Sequence, residues 1–271
     1  MHTATSPEES VRAGELAQAL HELQSRVRAR PADAKDRVFL FQLLAVLGQW
    51  DRALTQLNVA GDLDASALVL RQLYRQALEG EAVRRDVFTS GTPPVVLGEP
   101  AAWMAGLLEA LRLTAQGHFE KAAELRAQAL EAAPTTAGSI DGQRFEWIAD
   151  ADSRIGPCLE IIVDGKYMWA PFDRVQSIQM EAPTDLRDMV WTQAIVTWAN
   201  GGRTPALIPT RYTDTESAQD GTLLMSRRTQ WLEKPGGTYL GSGQRMFATD
   251  AGEYPLLEVR EISLEPAAAA D

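Results

Sequence analysis

Two apolar runs separated by Asp164-Gly165 constrain the fold of this chain more than any other stretch. The runs are Leu159 to Val163 and Tyr167 to Ala170. Because Asp-Gly readily takes the positive φ angles of a primed turn, this pattern predicts a tight β-hairpin. The patterns before it are helical, and those after it are mostly strand and turn. We therefore expect an α+β chain with a helical first part and a β-rich second part.

The first part contains two similar sequence motifs that indicate helical hairpins. Gly48, Trp50 and Ala53 have the same spacing as Gly117, Phe119 and Ala122. A glycine turn, an aromatic residue and a small residue in this order are typical of tetratricopeptide-type hairpins, in which two helices touch closely. The spacing between the two motifs does not fit a regular array of such repeats, so a generic helical bundle with two similar turns stays open as the alternative.

The boundaries of the helical part follow from proline, glycine and polar residues. Ser6-Pro7 predicts the start of a first helix that Pro31 ends. The Pro-rich segment 92–100 interrupts the helical pattern, and the polar segment 134–139 indicates a linker. We therefore predict a tetratricopeptide-like helical domain at residues 1–138 and a β-rich domain at residues 139–271.

Within the second part, Asn200-Gly201-Gly202 indicates another hairpin, between strands at 189–198 and 203–208. The segment 145–148 is expected to be a short helix or a docking segment, and 172–180 fits either helix or an edge strand. Glycines at 241–243 are interpreted as a turn, and residues from Pro266 onward as a frayed tail. Further strands are predicted at 229–232, 244–249 and 256–264.

The charge composition disfavours several classes of binding partner. The chain has 26 basic and 37 acidic residues, a formal net charge of −11. Nucleic acid and anionic membrane surfaces are therefore disfavoured, because phosphate binding relies on clustered Lys and Arg. A basic partner segment would fit better. No apolar run is long enough to span a membrane, and the N-terminus lacks the features of a signal peptide, so we expect a cytoplasmic protein.

The residue types that carry chemistry form no recognisable catalytic or metal-binding pattern. Cys158 stands alone at the start of a strand and is expected to be a buried, inert thiol. His2, His21 and His118 lack the spacing of metal ligands. Gly241-Ser242-Gly243 precedes a strand, whereas phosphate-binding glycine turns open a helix. We therefore predict no catalytic residue, no cofactor and no metal, and the protein-binding residues stay unknown.

Acidic and basic residues near the first hairpin leave two interpretations open. The acidic residues could carry out acid–base chemistry, although Asp164 suits a turn and Asp173 a cap. The arginines could form internal ion pairs that fix loops, or a docking surface. The acidic residues are Asp150, Asp152, Asp164 and Asp173, and the arginines are Arg154, Arg187, Arg211, Arg227, Arg228 and Arg245.

A series of unusual motifs occurs in order across most of the second part. They are Asp152 to Pro157 with Leu159-Glu160, Gly165 to Phe172, Leu186 to Trp191, Asn200 to Gly202, Ile208 to Tyr212, Arg228 to Trp231 and Gly243 to Arg245. This series resembles the ImpE (SciE-type) family, whose members are also called TagJ, and the helical part resembles that family's N-terminal region more weakly.

The resemblance implies a non-enzymatic, cytoplasmic accessory protein of bacterial type VI secretion. It implies binding to the small subunit of the contractile sheath and a link to the AAA+ ATPase ClpV, which disassembles contracted sheaths. It gives no catalytic residues. Two other hypotheses stay open: a hydrolase-like enzyme that uses Asp and Arg groups of the second part, and a structural assembly factor that forms a homo-oligomer through a Trp-rich β surface.

Overall fold

Helices form the first half of the protein, as the sequence predicts. The structure, a computed structural model, describes residues 6–265, so His2 and the tail from Pro266 lie outside the described residues. The helices are α1 (Pro7–Ala13), α2 (Leu16–Ala29), α3 (Ala34–Val46), α4 (Trp50–Leu63), α5 (Leu68–Ser90), α6 (Ala102–Ala115) and α7 (Phe119–Ala132), and a short α8 (Gly221–Leu224) lies in the second half.

The local signals at the helix ends act as expected, with one correction. Ser6 caps α1 through a reciprocal capping box with Glu9. Gly14, with a φ of +80°, separates α1 from α2, so the single helix predicted between Pro7 and Pro31 is wrong. The hairpins α3–α4 and α6–α7 form at the two similar motifs, and Ala53 and Ala122 are fully buried. Their assignment to the tetratricopeptide type stays a prediction.

The second half is β-rich, which confirms the predicted fold class. Its strands are β2 (Ala137–Ile140), β3 (Gln143–Phe145), β4 (Ile148–Asp150), β5 (Cys158–Val163), β6 (Lys166–Pro171), β7 (Val175–Met180), β8 (Trp191–Trp198), β9 (Arg203–Pro209), β10 (Thr229–Lys234), β11 (Thr238–Gly243), β12 (Met246–Thr249), β13 (Glu253–Pro255) and β14 (Glu261–Glu265), and β1 (Val95–Val96) precedes them.

These strands form one large sheet and two small ones. The nine-stranded sheet has the order β1-β6-β5-β9-β8-β7-β14-β2-β3, in which β1 is parallel to β6 and the other pairs are antiparallel. Strands β13-β12-β4 form a second sheet, and β10-β11 form a separate ribbon. Asp164 and Gly165 have φ angles of +47° and +76°, so the first hairpin turns as the Asp-Gly signal predicts.

Several predicted segments differ from the structure. Residues 145–148 are not helical; they contribute to β3 and β4. The glycines at 241–243 lie within β11 and make no turn. Residues 172–180 form one 3₁₀ turn followed by β7. The segment 134–139 enters β2, which crosses the predicted boundary at residue 138, so the division into two domains stays a prediction.

Two apolar cores lie on opposite faces of the large sheet. The first lies between the helices and the sheet and combines both halves of the chain, including Phe41, Tyr74, Trp169 and Trp191. The second lies between the large sheet and the small sheet β13-β12-β4 and includes Phe172 and Phe247 among its aromatic residues. The ring centroids of Tyr74 and Trp191 are 5.6 Å apart. The helices are therefore packed on the sheet through shared aromatic residues.

This shared core predicts how a fragment behaves. We expect residues 1–138 produced alone to lose cooperative unfolding, because Tyr74 and Phe88 would expose the surfaces that pack on Trp191 and Trp169. Thermal unfolding followed by far-ultraviolet circular dichroism checks this against the full chain. A fragment that unfolds as sharply as the full chain and at the same temperature would show instead that the helices are stable without the sheet.

Among the described helices, none combines the length and apolar character that crossing a membrane requires.

Candidate functional site

The structure brings together two of the four acidic residues that the sequence singled out. Asp150 ends β4 and Asp152 follows it, and both are buried. Asp164 remains exposed in its hairpin turn, and Asp173 is half-buried in the 3₁₀ turn after β6. No single cluster of four carboxylates therefore exists.

A buried network of ion pairs surrounds Asp150 and connects the helices to the sheet. Arg245 pairs with both Asp150 and Glu160. From α5, Arg84 donates through Nε to Glu160 Oε1 at 2.8 Å and pairs with Glu81 at 3.3 Å. Sequence reasoning missed Glu81, Arg84 and Glu160. The signal for Glu160 was a lone charge within the apolar run of β5, which requires a buried partner.

The environment shifts the pKa values within this network in opposite directions. Burial raises the pKa of Asp150 to about 7, although Arg245 opposes the shift. Burial would also raise the pKa of Glu160, but Arg84 and Arg245 outweigh it and lower that pKa to about 2. Both carboxylates are closed off from solvent, and neither lines the cavities described below. The network therefore fixes the fold and offers a substrate no access.

The arginines that the sequence singled out make internal contacts, partly with carbonyl groups. Arg211 donates to the carbonyls of Ala45 at 3.1 Å and Val46 at 2.7 Å, at the C-terminus of α3. Other arginines pair with carboxylates or reach across to helix ends: Arg154 with Asp152, Arg187 with Asp185, Arg228 with Asp220, and Arg227 with the carbonyl of Arg12.

Cys158 is fully buried, and burial raises the pKa of its thiol well above the ordinary value. This agrees with the inert thiol expected from the sequence. Within residues 6–265, no group of three His, Cys, Asp or Glu side chains is placed to hold a metal ion.

The candidate binding site is a surface groove between α3, α5 and the segment before β8, which we call the helical groove. Its volume is about 590 Å³. The apolar lining consists of Ala34, Val38, Phe39, Ala67, Leu70 and Leu186. Leu186 belongs to the β-rich half and is held by its backbone N–H, which donates to Gln42 Oε1 at 3.1 Å. One wall of the groove therefore comes from the β-rich half, which the sequence did not predict.

Charged residues at the rim make the helical groove acidic. Glu8, Asp64 and Asp185 line it together with one cation, Lys35. A hydrogen bond from Arg26 lowers the pKa of Glu8. A hydrogen bond from the backbone N–H of Ser66 lowers the pKa of Asp64. Glu8 pairs with Arg26 and Asp185 pairs with Arg187, so nearby arginines partly compensate the acidic residues of the rim. An apolar floor with an acidic rim is complementary to an amphipathic helix that carries basic residues.

Two sequence comparisons with known proteins agree on one family, and a comparison with solved structures finds the same fold. The model of the ImpE protein family matches residues 142–263. The type VI secretion system accessory component TagJ of Pseudomonas aeruginosa is 52% identical over 259 residues, which cover 96% of this chain and 91% of that protein. The crystal structure of protein VPA1032 from Vibrio parahaemolyticus has a TM-score of 0.88 at 22% identity and covers 98% of this chain and 100% of that chain. This last likeness concerns the fold.

Proposed function

This chain belongs to the ImpE family, and from that premise we propose that it is a non-enzymatic accessory protein of type VI secretion. The family resemblance predicted from the sequence motifs is confirmed. In this role the chain binds the small subunit of the contractile sheath and links it to the ClpV ATPase in the cytoplasm. The link would modulate the disassembly of contracted sheaths.

The observation that carries this proposal is the helical groove. Its apolar floor combines Val38, Phe39 and Leu70 of the helices with Leu186 of the β-rich half. A floor of this shape takes the apolar face of an amphipathic helix, with anchors spaced three or four residues apart. The acidic rim would then attract basic residues on the other face of that helix. We infer that the helix comes from the sheath's small subunit.

The groove gives a direct test. We expect Val38→Asp to weaken binding of a peptide for the N-terminal helix of the sheath's small subunit by about tenfold or more, because a carboxylate in the apolar floor has no partner. Isothermal titration calorimetry with the full chain measures the affinity. Val83→Asp is the matched control, since Val83 lies on a helix, is 47% exposed and is not part of the groove lining.

Two results would contradict this assignment of the site. Equal losses of affinity for Val38→Asp and Val83→Asp would place the contact outside the groove. Absence of binding to the unmodified chain would remove the support for a sheath contact. A peptide whose basic residues are replaced by glutamate should bind more weakly, because the rim carboxylate of Asp64, which makes no ion pair within the described part of the chain, would repel it.

The two alternatives receive less support from the structure. A hydrolase would need the carboxylates to face a substrate cavity, whereas Asp150 and Glu160 are buried against Arg245. An assembly factor that pairs through tryptophans would need several of them at the surface. Trp147 is 39% exposed, and the other six tryptophans are buried or half-buried.

A further inference from the structure

A second cleft lies beside the ribbon β10–β11, away from the helical groove. Its volume is about 450 Å³. Leu223, Leu232 and Leu240 form its apolar lining, and the loop 213–220 forms the opposite rim. Leu232 is 54% exposed although it is a large aliphatic side chain. The cleft therefore combines an apolar pocket with a polar rim.

A buried arginine reaches this cleft with one donor group unused. Arg154 is 7% exposed and lines the cleft. Its Nε and Nη2 donate to Asp152, and its guanidinium lies 4.9 Å from the ring centroid of Phe88. Among residues 6–265, Nη1 makes no hydrogen bond. It is also absent from the unpaired polar atoms that solvent cannot reach, so this nitrogen is accessible from the cleft. A fixed cationic donor is therefore available to a ligand.

The charges around Arg154 favour an anionic ligand. A second buried guanidinium, Arg126, donates to the hydroxyls of Thr238 and Thr114 and makes no ion pair within the described part of the chain. Asp152 is the carboxylate that acts on both Arg126 and Arg154, and the other carboxylate acting on Arg154, Glu160, is itself paired with Arg84 and Arg245. On the rim, Asp220 is paired with Arg228 at 2.6 Å, and Asp214 is exposed to solvent, which screens its charge.

The ribbon next to the cleft also offers a strand edge. Strand β10 is hydrogen-bonded to β11 along one side, and among the described strands none pairs with its other side. An unpaired edge can accept an extended peptide through backbone hydrogen bonds, while adjacent pockets select its side chains. Gln230, which lines the cleft, lies on this strand.

We propose that this cleft binds the C-terminus of a partner protein that ends in an aliphatic residue. The terminal carboxylate accepts a hydrogen bond from Arg154 Nη1, and the last side chain packs between Leu232 and Leu240. The preceding residues extend along the free edge of β10. A C-terminal aliphatic residue carries the carboxylate and the apolar group side by side, as the arginine and the leucines of this cleft require. This site does not depend on the helical groove or on its occupant.

The test uses two acetylated tetrapeptides that end in leucine, one with a free carboxylate and one with a C-terminal amide. In ¹H–¹⁵N spectra of the full chain, we expect the free acid to shift the amide signals of Leu240 and Ser242 saturably. The amide peptide should bind about tenfold more weakly, because it lacks the charged partner of Arg154.

Leu232→Asp should abolish these shifts, whereas the matched variant Leu63→Asp, at a leucine that is 43% exposed elsewhere on the surface, should leave them unchanged. Both substitutions are at exposed positions, so the fold is preserved and the test does not rely on altering Arg154. The proposal is overturned if neither peptide causes shifts, if both peptides bind equally, or if Leu232→Asp binds as the unmodified chain does.

Discussion

Arg245→Met is expected to lower the free energy of unfolding by about 3–5 kcal/mol, because it leaves two buried carboxylates without their shared cation. Arg245 is fully buried and pairs with both Asp150 and Glu160. Methionine fills much of the volume, so the loss arises mainly from the uncompensated charges. Urea unfolding of the full chain measures the change in midpoint and slope.

The dependence of this loss on pH separates charge from packing. Without Arg245, burial raises the folded-state pKa of Asp150 further above that of the unfolded chain, whereas Glu160 keeps Arg84 as its cation. A carboxyl with a raised folded pKa stabilises the fold most at low pH, where it is protonated, and this stability is lost as pH rises through the folded pKa. The deficit of Arg245→Met should therefore shrink as the pH is lowered from about 8 to about 5.

In the unmodified chain the two carboxyls act in opposite directions. The pKa of Glu160, lowered to about 2, gives stability that is present above the unfolded pKa and is lost as pH falls toward 2. The pKa of Asp150, raised to about 7, gives stability that is lost as pH rises through 7. We therefore expect a broad stability maximum on the acidic side of neutrality.

A matched exposed pair supplies the control for Arg245. Arg228 pairs with Asp220 at the surface, so Arg228→Met should cost less than about 1 kcal/mol. Adding Asp150→Asn to Arg245→Met should recover part of the loss, because it removes the carboxylate whose ion pair is lost, while Glu160 keeps its pair with Arg84. A loss from Arg245→Met as small as that from Arg228→Met would mean that water compensates the carboxylates in solution.

Local chemistry explains why the hairpins and paired helices could be predicted from sequence. The turn at Asp164-Gly165 depends on two adjacent φ angles, and the hairpin α3–α4 depends on residues within one short sequence motif. The short strands β3 and β4 could not be predicted in this way. Strand β4 pairs with β12, and about a hundred residues separate them, so residues 145–148 contain no local signal for their partner.

The same reasoning applies to the candidate sites. Arg84 and Glu160 are 76 residues apart in sequence, and Arg245 and Glu160 are 85 apart, so no spacing rule could join them. The Arg154–Asp152 pair was predictable because the two residues are nearly adjacent. For the helical groove, the sequence predicted stacked helices but not the wall at Leu186, because that wall depends on how the sheet packs on α3.

Trp191→Ala is expected to lower the free energy of unfolding by about 3–5 kcal/mol, the range found for large aromatic deletions in a core. Trp191 is fully buried at the start of β8, and its ring centroid lies 6.0 Å from that of Trp50. Its indole N–H donates to Glu81 at 3.0 Å, so removal also leaves a buried carboxylate with one donor fewer. Urea unfolding measures the loss.

Trp231→Ala provides the comparison, because Trp231 is half-buried on the ribbon, packs on Tyr212 and lies at the edge of the same core. Its loss should be clearly smaller. Equal losses for the two variants would mean that the full burial of Trp191 has no special weight in stability.

The position of Trp191 also connects stability to the proposed binding site. Its neighbour Tyr74 accepts a hydrogen bond from Arg187 at 2.9 Å, and Arg187 is adjacent to the groove residue Leu186. We therefore expect Trp191→Phe, which keeps most of the packing, to retain peptide binding. Trp191→Ala should bind more weakly even under conditions where it stays folded. Unchanged binding by folded Trp191→Ala would show that the Gln42 contact alone holds the groove wall in place.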